Sequence, residues 1–431
     1  MIEINDIIEG KILTLAFGGE GIMRERGFVI FVPFTAIGDR ITCQIKEVKK
    51  SFAKGVLVDL LEPSPDRTTP KCPYYGKCGG CQLQHLKPEA QADYKLNAVR
   101  DSLRRIGHLV FPLPQMIPAS LNWAYRRHIT LHLGPKNDFF EAGYIAINHH
   151  SHIAVQTCPI FTSSDDTVVS QIQKLVALIP NPTKESGRVT ILKNHQGRYI
   201  LSFLFERFII EKSFLEKLLP LFPSFAGIIL DCAGKQTLIG DCYSELHFDG
   251  LDFRFTPQAF VQNHPEQSLK IYQQIASIAS QEAGLHILDL YCGFGITSLL
   301  LARQGHHVTG IEFNPHSIRF AEENSSRNHL QGKANFLKGD VEKILPRALQ
   351  LGKDLMIINP PRQGLTPEVR KLILKANAKT LIYISCMPST LARDLSDFSQ
   401  KGYKIENITI YDMFPQTAHV ETLVCLRRTA R

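Results

Sequence analysis

The stretch ILDLYCGFGITSLLLA, residues 287–302, joins an apolar run to a helical pattern through a turn that contains two glycines. An apolar run of this kind before a helix is typical of a parallel strand that is buried on both faces. Gly293 and Gly295 allow the backbone of the turn to approach a ligand at the start of the helix. A dinucleotide fingerprint would have a third glycine at position 298, where this chain has Ser298, so the pattern weighs against NAD.

Four further apolar runs follow, each ending in a loop or helix: HVTGIE, ANFLKGD, LMIINPP and TLIYISC. This alternation predicts a doubly wound α/β sheet. Glu312 ends the run HVTGIE and suits the hydroxyl pair of an unphosphorylated ribose. Asp340 lies at the end of the run ANFLKGD, where methyltransferases commonly recognise adenine. Carboxylates at strand ends are often only solvated or helix-capping, but the three strand ends together make S-adenosylmethionine the leading cofactor.

Two chemical groups follow the fourth and fifth predicted strands. INPPRQGL places Asn359 and Arg362 there, and ISCMPSTLARDL places Cys386. Both segments belong to the carboxyl edge of the sheet, where open α/β folds bind ligands. An aromatic residue after Asn-Pro-Pro is familiar from amino-group methylation, and Arg362 in its place points away from an exocyclic amine.

Cys386 has a specific use beside a methyl donor. Carbon 5 of uracil is a poor nucleophile, but thiolate addition at carbon 6 creates an enolate that can attack a sulfonium methyl group. Cys386 precedes a predicted helix, whose N-terminus is expected to lower the pKa of the thiol. Taken alone, the residue would more often be a small buried hydrophobe.

The carbon-5 proton must leave at the end of such a reaction, and a general base is required. The candidate is Glu421 in AHVETLVCL, at the start of the last predicted strand. Taken alone, this residue would more often be a surface glutamate beside His419.

The segment CPYYGKCGGCQLQHL, residues 72–86, carries three cysteines with the spacing C-x5-C-x2-C, and a fourth stands before a proline. Four thiolates can close a zinc site or bind a [4Fe–4S] cluster. Three ligands in one segment and one far along the chain are more typical of a cluster, while buried thiols or a redox pair are the alternatives. The predicted ligands are Cys72, Cys78, Cys81 and Cys158.

The rest of the chain predicts two further regions. Residues 1 to about 63 show five short strands with glycine turns and a basic run of lysines, which suits a small barrel that binds a phosphate backbone. A helix is expected over residues 88–107, and the β-type runs up to about residue 255 predict a mixed α+β region. We therefore expect domains at 1–65, 66–258 and 259–431, and the first helix is expected to pack on the last domain.

Composition limits the class of partner and the compartment. The chain has 431 residues, a formal net charge of +8 and ten cysteines. The positive charge makes nucleic acid a plausible partner, although a basic enzyme of small molecules has a similar balance. The N-terminus is acidic where a signal peptide would be basic, and no apolar run approaches a membrane span, so a cytosolic location without membrane attachment is expected.

Taken in order, these motifs resemble the RNA 5-methyluridine (uracil-C5) methyltransferase family over almost the whole chain. The resemblance implies an RNA-binding TRAM barrel, an iron–sulfur middle domain and a C-terminal Rossmann-like methyltransferase sheet. It also implies that Cys386 is the nucleophile and Glu421 the base. The residues that it assigns to the methyl donor or its surroundings are Gln262, Tyr291, Gly293, Glu312, Asp340 and Asn359.

Within that family the chain is most similar to the branch that methylates 23S ribosomal RNA. It departs from the family pattern at His264 and Met387, where asparagine is common. Transfer RNA is the alternative substrate. An amine methyltransferase without a covalent step and a nonenzymatic iron–sulfur RNA-binding factor are the other hypotheses, and no obligate protein partner is inferred.

Overall fold

The N-terminal part of the chain folds into a six-stranded sheet. The computed structural model describes residues 2–147, 151–162, 167–232, 234–351 and 353–429. The six strands are β1 (Ile7–Lys11), β2 (Thr14–Leu15), β3 (Gly21–Glu25), β4 (Phe28–Val32), β5 (Arg40–Val48) and β6 (Phe52–Glu62). They pair in the order β1-β5-β6-β4-β3-β2, and each pair is antiparallel except β4 with β6. Side chains such as Met23, Ile30 and Ile45 form a core of their own.

The prediction of five strands here is wrong by one, because the chain changes partner at Ile12. β1 pairs with β5 as far as Lys11, the amide of Ile12 donates to the carbonyl of Asp39 at 2.9 Å, and β2 then pairs with β3. The apolar run GKILTL therefore belongs to two strands, β1 and β2, which pair with different neighbours, β5 and β3.

The cysteine segment, residues 72–86, follows as a series of turns packed against this sheet. The ring of Tyr75 lies 5.2 Å from that of Phe34, centroid to centroid. His85 Nε2 lies 3.1 Å from the carbonyl oxygen of Thr35. Helix α1 (Pro88–Arg105) comes next, two residues shorter than predicted, and is followed by the short strand β7 (Gln115–Ile117). Pro88 opens the helix, where its missing N–H costs no hydrogen bond.

The middle of the chain forms a seven-stranded sheet with two helices packed on it. Its strands are β8 (His128–Lys136), β9 (Phe139–Ile145), β10 (His152–Ala154), β11 (Gly187–Lys193), β12 (Tyr199–Phe205), β13 (Phe225–Cys232) and β14 (Lys235–Gly240). They pair in the order β10-β9-β8-β11-β12-β13-β14, and only β12 and β13 run parallel. Helices α2 (Thr167–Val176) and α3 (Lys212–Leu218) bury their apolar faces in the core of this sheet. The predicted α+β character of the region is confirmed.

A hairpin of β15 (Ser244–Phe248) and β16 (Leu251–Phe255) leads through helix α4 (Pro265–Ala279) into the largest sheet. The strands that follow are β17 (His286–Leu290), β18 (His307–Glu312), β19 (Ala334–Lys338), β20 (Leu355–Ile358), β21 (Thr380–Ser385), β22 (Tyr403–Tyr411) and β23 (Glu421–Arg428). The helices between them are α5 (Ile296–Arg303), α6 (Pro315–Arg327), α7 (Val341–Ala348), α8 (Pro367–Ala376) and α9 (Pro388–Gln400).

This sheet has the order β19-β18-β17-β20-β21-β23-β22-β7, and its first five strands are parallel. The predicted doubly wound sheet and all five predicted strands are confirmed. The chain order reverses between β17 and β20, and such a switch point is where open α/β sheets bind ligands. The glycine turn after β17 therefore faces the binding crevice.

Segments from earlier in the chain complete the C-terminal sheet. β7 adds the edge strand beside β22, and Val99 and Leu103 of α1 are buried in the same core as β17, β20 and β21. The hairpin β15–β16 contributes Phe253 and Phe255 to the core on the other face. The domain limits at 65 and 258 stay a prediction. No helix in the described ranges is long and apolar enough to cross a membrane.

Candidate active site

A cavity of about 570 Å³ opens at the carboxyl end of β17. Four of the residues that the family resemblance assigns to the methyl donor line it: Gln262, Tyr291, Gly293 and Asn359. Tyr272 of α4 and Phe294 also line the cavity, and neither was singled out from the sequence because apolar and aromatic residues are common in any core.

The turn after β17 is shaped by unusual backbone conformations. Tyr291 has a φ of +65°, which is uncommon for a residue other than glycine, and Gly293 has a φ of +58°. A Cβ atom at Gly293 would meet only open space, so the backbone here lies bare toward the cavity. Glu312 Oε2 accepts from the Gly293 amide at 3.0 Å, and Oε1 accepts from the Asn314 amide at 2.7 Å. The carboxylate of Glu312 thus ties the end of β18 to the glycine turn.

Ser298, which replaces the glycine of a dinucleotide fingerprint, holds the buried carboxyl group of Asp289. Its Oγ donates to Asp289 Oδ2 at 2.6 Å. Burial raises the pKa of Asp289 to about 7, and the Ser298 hydrogen bond opposes that rise. Position 298 therefore carries a polar contact that glycine could not make.

Asp340 and His264 occupy helix N-caps. The carboxylate of Asp340 accepts from the Glu342 amide at 2.8 Å at the start of α7, and its predicted contact with the donor stays a prediction. His264 precedes α4, is 1% exposed and stacks on Tyr125 with 5.0 Å between ring centroids. This departure from the family pattern therefore fills a buried packing position.

The sheet register brings the predicted nucleophile and base to the same edge. β21 and β23 are antiparallel, with Ser385 opposite Thr422. Cys386 follows Ser385 and Glu421 precedes Thr422, so both residues lie at the carboxyl end of β21. Glu421 is 3% exposed, which rules out the alternative that it is a surface glutamate. Met387, the second departure from the family pattern, is the N-cap residue of α9, and its side chain makes no capping hydrogen bond.

The pKa predicted for Cys386 is corrected by the structure. Burial and the Glu421 carboxyl group raise the pKa of the Cys386 thiol to about 11, and Arg362 opposes this. Burial likewise raises the pKa of Glu421 to about 8, again opposed by Arg362. The expected lowering at a helix N-terminus is therefore wrong, because desolvation outweighs the helix dipole.

Arg362 places a positive charge near Cys386 and Glu421, a role that could not be assigned to it from the sequence. Its Nη2 lies 3.4 Å from His419 Nε2, on the connection that leads to Glu421. Its positive charge favours the ionised forms of both Cys386 and Glu421.

The loop that carries Asn359 and Arg362 is fixed by the buried carboxylate of Asp394 on α9. Asp394 accepts from the Leu365 amide at 2.9 Å and from the Tyr383 hydroxyl at 2.7 Å. Arg370 and Arg393 pair with the same carboxylate. Sequence reasoning missed this network, because Leu365, Arg370 and Tyr383 lie 11 to 29 residues from Asp394 along the chain.

The four predicted cluster ligands, Cys72, Cys78, Cys81 and Cys158, line a second cavity, of about 480 Å³. The Tyr144 hydroxyl lies 3.6 Å from Cys158 Sγ. Arg126 also lines the cavity, and its buried Nε has no hydrogen-bond partner among the described residues. Within those same residues no three His, Cys, Asp or Glu side chains are grouped as ligands of a metal ion.

Comparisons with known proteins agree with this architecture. The TRAM domain family matches residues 4–58, a methyltransferase domain family matches 287–375, and the tRNA (uracil-5-)-methyltransferase family matches 348–429. The crystal structure of a Pyrococcus abyssi tRNA (uracil-54, C5)-methyltransferase, in complex with S-adenosyl-L-homocysteine, has the same fold. It aligns with a TM-score of 0.74 at 23% identity and covers 97% of this chain and 100% of that one.

Two relatives align over almost their entire length. An RNA methyltransferase of Protochlamydia amoebophila is 56% identical over 99% of both chains. Another, of Halalkalibacterium halodurans, is 31% identical over 98% of this chain and 97% of the relative. The chain therefore belongs to the S-adenosylmethionine-dependent RNA methyltransferases, with a uracil-5-methyltransferase segment at its C-terminus.

Proposed function

We propose that this enzyme methylates carbon 5 of a uridine in RNA through a covalent bond between Cys386 and carbon 6 of the base. The observation that supports the proposal is the register of β21 and β23, which sets Cys386 and Glu421 at one end of the sheet, the end at which Ile384 and Asn359 line the donor cavity. A methyltransferase that acts on an amine needs neither a thiol nor a buried carboxyl group at this place.

The chemistry then follows from these side chains. After the Cys386 thiol has lost its proton to solvent, its sulfur bonds to carbon 6, and the electrons of the 5,6 double bond pass into an enolate. Carbon 5 takes the methyl group of the sulfonium donor, whose sulfur keeps the electron pair of the broken bond and leaves as a neutral thioether. The Glu421 carboxylate removes the proton from carbon 5, the double bond re-forms and the bond between Cys386 and carbon 6 breaks. Arg362 favours the charged forms of both residues during the cycle.

The donor is assigned to the cavity after β17. Gln262, Tyr291, Gly293 and Asn359 line that cavity, and Glu312 is assigned to the ribose hydroxyls because it ends β18 and bonds the glycine turn. Asp340 is assigned to the adenine side on its position after β19. Asn359 can both donate and accept a hydrogen bond, which suits contact with the uracil or the donor.

The target base must leave its stack to reach Cys386, so the enzyme should flip it toward the carboxyl end of β21. RNA containing 5-fluorouridine at the target should trap wild-type protein, because fluorine cannot leave carbon 5 as a proton does. A gel-stable adduct that is lost in Cys386→Ala supports the mechanism. Methylation by Cys386→Ala at the wild-type rate would overturn it in favour of an amine acceptor.

We propose 23S ribosomal RNA as the substrate, on the combination of a TRAM barrel with the cysteine segment. Transfer RNA is the alternative, and it is the substrate named for the Pyrococcus abyssi enzyme. Mass-spectrometric mapping of 5-methyluridine in both RNAs, from cells with and without this protein, decides between them. Loss of the modification from transfer RNA alone would contradict the ribosomal assignment. A cytosolic location remains part of this proposal.

We also propose that Cys72, Cys78, Cys81 and Cys158 hold a [4Fe–4S] cluster. The four thiols line one cavity, as a group larger than a single ion requires. The Arg126 guanidinium in its wall, whose Nε is buried, suits the net negative charge of four thiolates and an iron–sulfur core. Since all four irons would be ligated, the cluster would order the surrounding turns and leave the methyl transfer to the other site.

A further inference from the structure

Glu421 is reached through a buried connection, residues 412–420, which joins β22 to β23. Asp412, Met413, Gln416, Thr417 and Val420 are all 4% exposed or less. A surface loop of this length would normally be exposed. The position of the proposed base therefore depends on whatever surrounds this connection.

The centre of the connection is Gln416, whose φ of +71° lies in the left-handed region. Such a conformation in a non-glycine residue persists only where the surroundings fix it, and it is frequent at functional sites. Gln91 of α1 supplies much of that support. Its Oε1 accepts from the Gln416 amide at 2.8 Å, and its Nε2 donates to Gln416 Oε1 at 3.1 Å. Gln91 is itself 2% exposed.

The cysteine segment holds the same connection. The Leu83 amide donates to the Gln416 carbonyl at 3.0 Å, and Gln82 Oε1 accepts from the Ala418 amide at 3.2 Å. Gln91 Nε2 also bonds the carbonyl of Leu86 at 2.9 Å. Gln91 thus joins the cysteine segment to the connection before Glu421.

A buried ion pair fixes the start of the connection. Lys95 Nζ, one turn after Gln91 on α1, lies 2.5 Å from Asp412 Oδ1 and donates to the Phe414 carbonyl at 3.0 Å. The Lys95 side chain has no exposed surface. Cys386 lies between β21 and α9, and α1 packs on the core of both through Val99 and Leu103, further along the helix than Gln91. Among the described residues, the side-chain hydrogen bonds of Gln91 go to the cysteine segment and to Gln416.

We propose that Gln91 is a positioning residue for the base Glu421, and that it acts by holding Gln416 in its left-handed conformation. This inference rests on the proposed function. Proton removal from carbon 5 needs the carboxylate within hydrogen-bond reach, and small misplacements of a catalytic group are costly. Because the side chain of Gln91 bonds to the connection before Glu421 and not to the segments that flank Cys386, loss of its hydrogen bonds should slow the final proton removal more than addition and methyl transfer.

The test is the variant Gln91→Met, which keeps the length and the helix propensity of the side chain and removes its hydrogen bonds. We expect kcat to fall roughly 10- to 100-fold, with a methylated Cys386–RNA adduct accumulating on denaturing gels as it does in Glu421→Gln. Gln173→Met is the matched control. Gln173 of α2 bonds the backbone of Ala142 and Val155 in the central sheet, so its loss should produce no adduct.

Gln416→Gly provides a second variant, because glycine adopts the left-handed conformation without strain and so spares the fold. It keeps the backbone amide bond to Gln91 and needs no support for its conformation, so it should accumulate much less adduct than Gln91→Met. The inference is overturned if Gln91→Met slows methyl transfer and adduct breakdown in equal proportion or leaves turnover unchanged, or if Gln416→Gly accumulates as much adduct as Gln91→Met. A wild-type enzyme and a Glu421→Gln variant that form no Cys386-dependent adduct would instead overturn the proposed function itself.

Discussion

Ser385 lies opposite Thr422 in the antiparallel register of β21 and β23. This one pairing sets Cys386 and Glu421 at the same end of the sheet, next to the cavity assigned to the methyl donor. A slip of one residue would turn the side chains of β23 to the other face and separate base from nucleophile. The proposed covalent mechanism therefore depends on a strand pairing as much as on the two side chains.

The final proton removal should depend on pH. The base must be ionised, and burial raises the pKa of Glu421 to about 8. The ionised fraction grows as the pH rises, so the breakdown rate of the preformed adduct should increase through about pH 8 and then level off. Single-turnover experiments between pH 6 and pH 10 measure this rate. In Arg362→Gln the rise should move to higher pH, because the cation that favours the carboxylate is gone. A rate that is flat or falls across this range would contradict the assignment of Glu421.

Gly293→Ala should weaken methyl-donor binding by roughly tenfold or more, because Gly293 lines the donor cavity with a bare left-handed backbone that an added methyl group would cover. The strain of a non-glycine residue in this conformation also costs roughly 1 kcal/mol of folding stability. Gly305→Ala is the control: its φ is +95°, its Cβ would also meet open space, and it lies after α5, away from the cavity. Calorimetric titration with donor and thermal unfolding should show similar stability losses but weaker binding in Gly293→Ala only. Equal effects on binding would argue against this site.

The five parallel strands and the glycine turn could be predicted from the sequence, because both are local patterns of apolar runs and turn residues. The proposed roles of Cys386 and Glu421 followed from the chemistry of a thiol and a carboxyl group beside a methyl donor and from motif order. Their juxtaposition could not be derived locally, since β23 inserts between β21 and β22. The sequence predicted a lowered pKa for Cys386, whereas the structure raises it. The prediction considered the helix N-terminus, which is a local feature, and could not include burial beside Glu421. No sequence pattern identified Gln91 or Asp394, because the role of each depends on hydrogen-bond partners that lie elsewhere in the chain.

Cys158→Ala should lower the iron and sulfide content of anaerobically purified protein. Cys158 is one of four thiols in the second cavity and comes from a segment far from the other three, so no neighbouring ligand can replace it. Cys242→Ala is the control, since Cys242 is buried in the central sheet region and its Sγ bonds backbone carbonyls. Iron analysis and visible absorption measure the outcome. Stoichiometric zinc without iron in the wild-type protein would contradict the cluster.

RNA binding should weaken with salt, and the basic run of the N-terminal sheet should contribute to that dependence. Lys49 and Lys54 both pair with Glu47, at 2.8 and 2.9 Å, so Lys46 and Lys50 are the better lysines to test. The double variant Lys46→Gln/Lys50→Gln should reduce the slope of log affinity against log salt by about 1 to 2. Lys235→Gln, on β14, serves as the control.

These substitutions are a sharper test than removal of the N-terminal region. Arg67 pairs with Asp39 at 2.7 Å and the cysteine segment packs on the same sheet, so a deletion would also expose that segment. An unchanged salt slope in the double variant, measured by filter binding or fluorescence anisotropy, would remove these lysines from the RNA interface.

The central claim is the covalent cycle between Cys386 and Glu421, and one comparison on denaturing gels tests it most directly. Glu421→Gln keeps the shape of the side chain and loses the base, so addition and methyl transfer can proceed while proton removal stalls. With labelled donor and substrate RNA, this variant should accumulate a methylated RNA–protein adduct that disappears in Cys386→Ala/Glu421→Gln. If Glu421→Gln forms no adduct, or forms one that survives the loss of Cys386, the covalent mechanism proposed for this enzyme is wrong.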